Sequence, residues 1–324
     1  MFYLRKILNF FTTLILISLL TFFVFQLLPG NAALAVLGVD ADPGQIAPFE
    51  EKMGLDKPVA ERYALWICNA VRGDLGISYQ YNQSVSRLIG GSFSVTLSLA
   101  LLSLVFTVFI GFSFGFLYAY IRKSVFFRPL MAFHQVWFSI PSFCTALLLI
   151  LIFAVMLGIF PSMGYSPISN GFFQWLHSLV LPAFSLSLGS GAILARYITT
   201  SILNQEKQDY VRTARSKGMG EGRVILIHIL PNALLPSITT LGLIMTEILG
   251  GSIIIENVFS LPGIGRLVAS SILTRDFPLI QGLVLYLAFI TLLCNTLVDF
   301  FYSIVDPRIR NKNYAIENWV YLKL

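Results

Sequence analysis

Six apolar blocks, each at least 20 residues long, constrain this chain more than any other feature. The first, residues 7–28, runs for 22 residues without a charged side chain. As a helix rising about 1.5 Å per residue it is about 33 Å long, enough to cross a hydrocarbon core of about 30 Å. A secretory signal peptide has a shorter apolar core and a small-x-small cleavage site; residues 1–30 have neither, so a retained first span is expected. The other blocks are 94–120, 131–159, 176–200, 232–255 and 279–304. Across 324 residues only 12% are charged, about half the share of a soluble domain. The expected fold is an all-α integral membrane protein with six transmembrane helices. Pro141, Pro182, Gly242 and Gly250-Gly251 fall inside the blocks. Membrane helices tolerate them because neighbouring helices and Ser/Thr side chains re-satisfy freed backbone groups.

Charge sets the orientation. The N-terminus, residues 121–130, residues 196–231 and the C-terminal tail hold 15 of the 22 Lys and Arg residues. The positive-inside rule makes that side cytoplasmic, with both termini in. Residues 29–93 then form an outer loop carrying seven acids, from Asp40 to Asp74. Within it Val59, Tyr63, Leu65, Trp66 and Ala70 follow helical spacing and stop at Gly73, which predicts a small helical extracytoplasmic cap. With no repeat and no low-complexity linker, residues 1–310 are read as one transmembrane domain, with core spans 2–6 in 94–305. Residues 311–324 are a short cytoplasmic tail.

Several chemistries lack their residues. No Gly-Lys dipeptide occurs, so no Walker A loop cradles a phosphate. His134, His177 and His228 are scattered, and Cys68, Cys144 and Cys294 form no C-x-x-C pair. Neither a metal site nor a cofactor site is expected in this chain. Uphill movement of a solute would draw on an ion gradient or on a separate ATP-hydrolysing partner.

One hydrophilic connector is too patterned to be a plain loop. Residues 206–217 can form a helix with Tyr210, Val211 and Ala214 on one face and Lys207, Arg212, Arg215 and Lys217 on the polar side. Gly218, Gly220 and Gly222 follow as a turn, since glycine accepts positive φ. Residues 224–230 and Pro231 lead back into the membrane. A basic loop that merely obeys the positive-inside rule would need no such order.

This connector resembles the EAA loop of ABC importer membrane subunits. In that pattern E-A-A, three residues, Gly, nine residues and I-x-L-P follow in order. Ala214, Gly218, Leu230 and Pro231 match; Arg212 and His228 stand where the family has Glu and Ile. Those departures suit the dipeptide, oligopeptide and nickel branch, which Thr213-Ala214-Arg215-x-Lys217-Gly218 and His228-x-x-x-Asn232-Ala233-Leu234 resemble. MGLDKPVAERYALW (53–66), GDLGIS (73–78), FSLPGIGRL (259–267), RDFPLIQG (275–282) and NTLVDFFYSIVDPRIR (295–310) are similar to that branch as well. At Pro29-Gly30-Asn31-Ala32 the family has an Asp after the Gly.

The resemblance implies a non-catalytic permease subunit in the cytoplasmic (inner) membrane of a prokaryote. Its cargo would be peptides, nickel or a metal chelate. Its partners would be a paralogous second permease, two ATPase subunits that bind ATP and Mg, and an extracytoplasmic substrate-binding protein. The residues that would dock the ATPase are Asp209, Tyr210, Val211, Arg212, Thr213, Ala214, Arg215, Lys217 and Gly218.

Glu247 stands two-thirds of the way through the fifth block. A mid-bilayer carboxylate costs about 2.5–3.5 kcal/mol on insertion scales, so it either lines a pathway for cationic groups or serves as a hydrogen-bonded structural residue. It would also be the coupling carboxylate of an ion-driven secondary transporter, the alternative to an ATP-driven importer. Arg196 and Asp299 lie near span ends, where Arg196 can snorkel. Gly111, Gly115 and Ala119 make a stripe suited to close helix packing. Residues 262–278 repeat apolar positions at helical spacing. They are either a rim for the binding protein, through Gly263, Ile264 and Arg266, or a re-entrant packing element.

Overall fold

The computed structural model describes residues 2–27, 44, 57–121 and 124–305. The expected tail at 311–324 and the Pro29–Ala32 departure lie outside them. Ten helices of eight or more residues appear among the described residues. They are α1 (Phe2–Leu27), α2 (Val59–Val71), α3 (Val85–Ile121), α4 (Phe127–Ser139), α5 (Ser142–Leu149), α6 (Phe172–Glu206), α7 (Asp209–Ser216), α8 (Leu230–Val258), α9 (Ile264–Leu273) and α10 (Phe277–Val305). The described chain is all-helical apart from an isolated bridge between Ile77 and Ser84.

Among the described residues, five helical stretches are long and apolar enough to cross a membrane: Tyr3–Gln26, Val85–Ile121, Phe172–Glu206, Thr240–Val258 and Phe277–Phe300. Sequence and structure part at the third block. Instead of one continuous helix over 131–159, α4 stops at Ser139 and α5 restarts after Pro141, whose φ of −57° and ψ of 143° are extended. Proline has no N–H to continue the ladder and pushes the residue before it out of the α region. The Pro141 carbonyl then accepts from the amides of Cys144 and Thr145, opening α5, which runs on as a π-helix over Ile150–Met156. Pro182 does the opposite. It lies within the continuous α6, where Ser185 Oγ donates to its carbonyl at 2.7 Å.

The described residues divide into two compact units, one within 4–96 and 262–293 and the other within 2–3, 97–261 and 294–305. In the second, the connector unit, small residues bring helices close. A Cβ on Gly111 of α3 would lie 2.5 Å from Leu194 of α6, and one on Gly115 would lie 2.8 Å from Ile198. Gly191 of α6 meets Ile110 of α3 in the same way. Thr199 Oγ1 donates to the Ala195 carbonyl at 2.7 Å. The glycine stripe is therefore a packing seam, as its spacing predicts. Gly242 of α8 makes an equally close approach to Val298 of α10.

In the other unit, the loop unit, α2 covers the expected residues 59–71 and ends before Gly73, whose φ is +85°. Tyr63 and Trp66 place their rings 5.4 and 5.9 Å from Phe22 of α1. Tyr63 Oη and Ser18 Oγ are 2.8 Å apart, and Arg62 donates to Gln26 at 3.1 Å. Leu65 and Val59, counted in the apolar pattern, are exposed. Val85, Ile89, Ile264, Leu279 and Leu283 form a buried core.

Candidate functional site

The connector unit carries the patterned segment. The helix expected over 206–217 is two pieces: Glu206 closes α6, and α7 begins at Asp209. Val211 and Ala214 are buried and seat α7, while Tyr210 stays exposed. Tyr210 Oη donates to Gln205 at 2.8 Å and accepts from Asn232 at 3.4 Å, spanning the exit from α6 and the start of α8. Thr213 Oγ1 bonds back to the Asp209 carbonyl at 3.0 Å. Asp209, Arg212, Thr213, Lys217 and Gly218 form the exposed side, where Arg212 and Asp209 are 3.7 Å apart.

Of the three glycines only Gly218 uses a left-handed backbone, at φ +78°. Gly220 has an ordinary φ of −63° and precedes the helical turn Glu221–Val224, which contains Gly222. That turn continues as a π-helix over Ile225–Ile229 and runs into α8. Val224, Ile229 and Ala233 are fully buried, so the return path is anchored over several turns.

Arg215 is the polar centre of the connector. Its Nη2 donates to Glu206 at 2.6 Å and to Glu221 at 3.1 Å. Its Nε lies 2.9 Å from Glu221 Oε1 but off the hydrogen-bond direction. Glu206, and after it Glu221, hold the guanidinium above its ordinary range, so its charge is permanent. One side chain thus ties the end of α6, α7 and the turn before α8. Reading the sequence missed this clamp because offsets of nine and six residues match no helical repeat.

The remaining predicted residues are separate from this cluster in sequence and element. Glu247 is exposed on α8, on a stripe with Leu243 four residues before it and Gly250 and Ile254 three and seven residues after it. In the loop unit Gly263 and Ile264 are buried, and the Ile264 amide donates to Thr96 Oγ1 at 2.9 Å. Ile264 is a core residue of that unit; of the three rim residues only Arg266 is exposed.

The loop unit also holds a buried carboxylate that sequence reading passed over. Asp276 accepts from Ser78 Oγ at 2.5 Å, from the amides of Tyr79 and Gln80 at 3.2 and 3.1 Å, and from Leu279 N at 3.3 Å. It caps α10 and pins residues 78–80 at once. Burial, with the Asp276 charge nearby, pushes the Tyr79 phenol up. The signal was available, since Asp before Phe-Pro is a helix-start pattern.

Two family models match in tandem. Residues 1–100 match the N-terminal segment of binding-protein-dependent transport system membrane components, and residues 111–311 match the binding-protein-dependent transport system inner membrane component. The chain belongs to this family. It is the family that the connector motifs resemble. With its five long apolar helices, this inner membrane component is a multi-pass membrane protein.

It is 40% identical over 307 residues to a protein named as a peptide transport system permease of Brucella abortus (strain 2308), covering 95% of this chain and 98% of that one. It is 36% identical over 308 residues to the glutathione transport system permease protein GsiC of Escherichia coli (strain K12), again covering 95% and 98%. Among solved structures it is similar to a chain of the MetNI methionine ABC transporter in inward-facing conformations. There the TM-score is 0.57 at 18% identity, over 68% of this chain and 96% of that one; this likeness concerns the fold.

Proposed function

We propose that this inner membrane component is one half of the translocation pathway of an ATP-driven importer of short peptides. The observation that carries the reading is the Arg215 clamp: it makes α7 a rigid lever between two long helices, with a charged face left open. A rigid lever transmits force to the spans that bracket it; an untethered loop does not. The exposed face of α7 and the turn after it, from Asp209 to Gly218, would dock on an ATPase subunit that binds ATP and Mg. The relatives named for peptide and glutathione transport support peptides over nickel or a metal chelate as cargo.

The rest of the reading follows the same logic. Six spans with both termini inside form a single transmembrane domain, the split α4–α5 segment crossing as the third span. Glu247 and its exposed stripe face a pathway shared with a paralogous second permease, because a carboxylate facing acyl chains is costly. Arg266 is the remaining rim contact for the substrate-binding protein.

The test is purification of the tagged chain from its native membrane in mild detergent, mass spectrometry of what stays attached, and uptake by proteoliposomes loaded with ATP. Two ATPase subunits, a sister permease and ATP-dependent uptake of glutathione or trialanine are expected. A chain that purifies alone and drives uptake dissipated by uncouplers overturns the reading in favour of an ion-coupled carrier using Glu247. In the intact complex, Glu247→Gln is expected to impair cationic peptides most; equal effects on all cargo return Glu247 to a structural role.

A further inference from the structure

A cavity of about 420 Å³ opens in the connector unit between α4 and α6. Met131 comes from α4; Ile193, Arg196, Tyr197 and Thr200 come from α6. Arg196 is exposed and has no hydrogen bond or ion pair among the described residues. No carboxylate on its own helices is available to neutralise it. α4 has none, and the only one on α6, Glu206, holds Arg215 at 2.6 Å.

Two further cations stand near the cavity in sequence, outside its lining. Arg128 stands three residues before Met131, on the same face of α4, and Lys207 follows the last residue of α6, eleven residues and about 16 Å beyond Arg196. Both are exposed. Depth along α6 also matters. From Phe172 to Ala195 the helix carries no Asp, Glu, Lys or Arg for 24 residues, about 36 Å and a full crossing of the hydrocarbon core. Arg196 is the first charge after that stretch, which on the orientation proposed above ends in the cytoplasmic headgroup region.

We propose that this cavity binds the phosphodiester headgroup of an anionic phospholipid of the cytoplasmic leaflet. The Arg196 guanidinium donates to the phosphate oxygens, Tyr197 and Thr200 offer hydroxyl donors, and Met131 and Ile193 cover the glycerol and first methylenes. Arg128 and Lys207 add attraction from the aqueous side. Basic pockets between helices on the cytoplasmic side are where such headgroups are held. A peptide carboxylate carries the same charge, but the half-apolar lining and the place of Arg196 at the end of the apolar run favour the lipid. The choice of leaflet rests on the orientation proposed above; the headgroup chemistry does not.

The test uses the chain purified with its attached partners and titrated with short-chain phosphatidylglycerol by native mass spectrometry, with phosphatidylcholine as control. Phosphatidylglycerol is expected to bind more tightly than phosphatidylcholine. Arg196→Gln is expected to weaken it about fivefold, Arg128→Gln and Lys207→Gln each by less, and Arg196→Lys to recover part of the loss. Equal affinity for both lipids, or an Arg196→Gln variant that elutes with its partners and binds phosphatidylglycerol as before, overturns the proposal. Displacement of the lipid by trialanine assigns the cavity to cargo, and displacement by inorganic phosphate assigns it to a free anion; either overturns it. In right-side-out vesicles, an impermeant maleimide should not label residue 207 of Lys207→Cys. Labelling there, with lipid binding and the Arg196→Gln effect intact, overturns the leaflet and the orientation while leaving the headgroup site standing.

Discussion

Two segments outside the long spans use carboxylates in opposite ways. In the loop unit, buried Asp276 collects Ser78, Tyr79, Gln80 and Leu279 into one cap, and Leu279 also belongs to the unit's buried apolar core. In the connector unit, Glu206 and Glu221 grip one guanidinium near the surface, and only two residues of α7 are buried beneath it. The first arrangement consumes its polar groups internally. The second leaves Asp209, Arg212 and Lys217 open. A buried cap is a device for holding a fold, whereas a surface clamp holds a short helix in place while its outer face stays available to a partner.

Breaking the buried cap is expected to have the largest effect. Asp276→Ala strands several donors in a closed environment, where each unsatisfied group costs about 1–3 kcal/mol. A loss on the order of 3 kcal/mol is expected in detergent unfolding followed by tryptophan fluorescence, with Asp276→Asn losing less. A change under about 1 kcal/mol would mean that the cap and the clamp are energetically alike.

Gly218→Val comes next. No atom lies within 4 Å of its added Cβ, so the cost is backbone strain at φ +78°, about 1–2 kcal/mol for an L-residue. The chain should insert and assemble normally while peptide uptake per ATP hydrolysed falls several-fold. Gly218→Asn should keep most of the coupling, because Asn tolerates the left-handed region. Normal uptake by the valine variant would remove the lever role from α7.

The clamp itself can be sharpened by its asymmetry. The Glu206 side chain is 17% exposed and that of Glu221 is 60% exposed. Glu206→Gln should cost about 1 kcal/mol and loosen coupling; Glu221→Gln should cost less, because an exposed pair is largely screened. Equal effects would show that Arg215 is held by its charge alone and not by its position. Smallest is Arg212→Ala. Its ion pair with Asp209 is open to water at 3.7 Å, so stability should move by less than about 0.5 kcal/mol. Affinity for the ATPase subunit, measured against salt, should nevertheless fall.

Much of this was legible in the residues themselves. The five long helices lie where apolar length puts them, α2 follows its helical spacing, and Gly111 and Gly115 form a packing seam. The break within the third block was not legible, because its apolar content hid the effect of Pro141. Pro182, in an equally apolar block, is absorbed. Both prolines sit in apolar runs, so apolar content does not separate them. Ile264 shows the same limit: its helical spacing fits a rim or a core, and only packing against Val85 and Leu283 decides.

The sequence by itself determined that this chain spans a membrane, where most of the spans lie, and that a patterned connector joins two of them. Those properties depend on run length, charge and short-range spacing, which act along the chain. Tertiary structure alone decided that Arg215 joins Glu206 to Glu221, that Asp276 reaches back to Ser78, and that Arg196 opens into a cavity beside α4. Side chains far apart in sequence meet only after the helices have packed, and no local period records which pairs will do so.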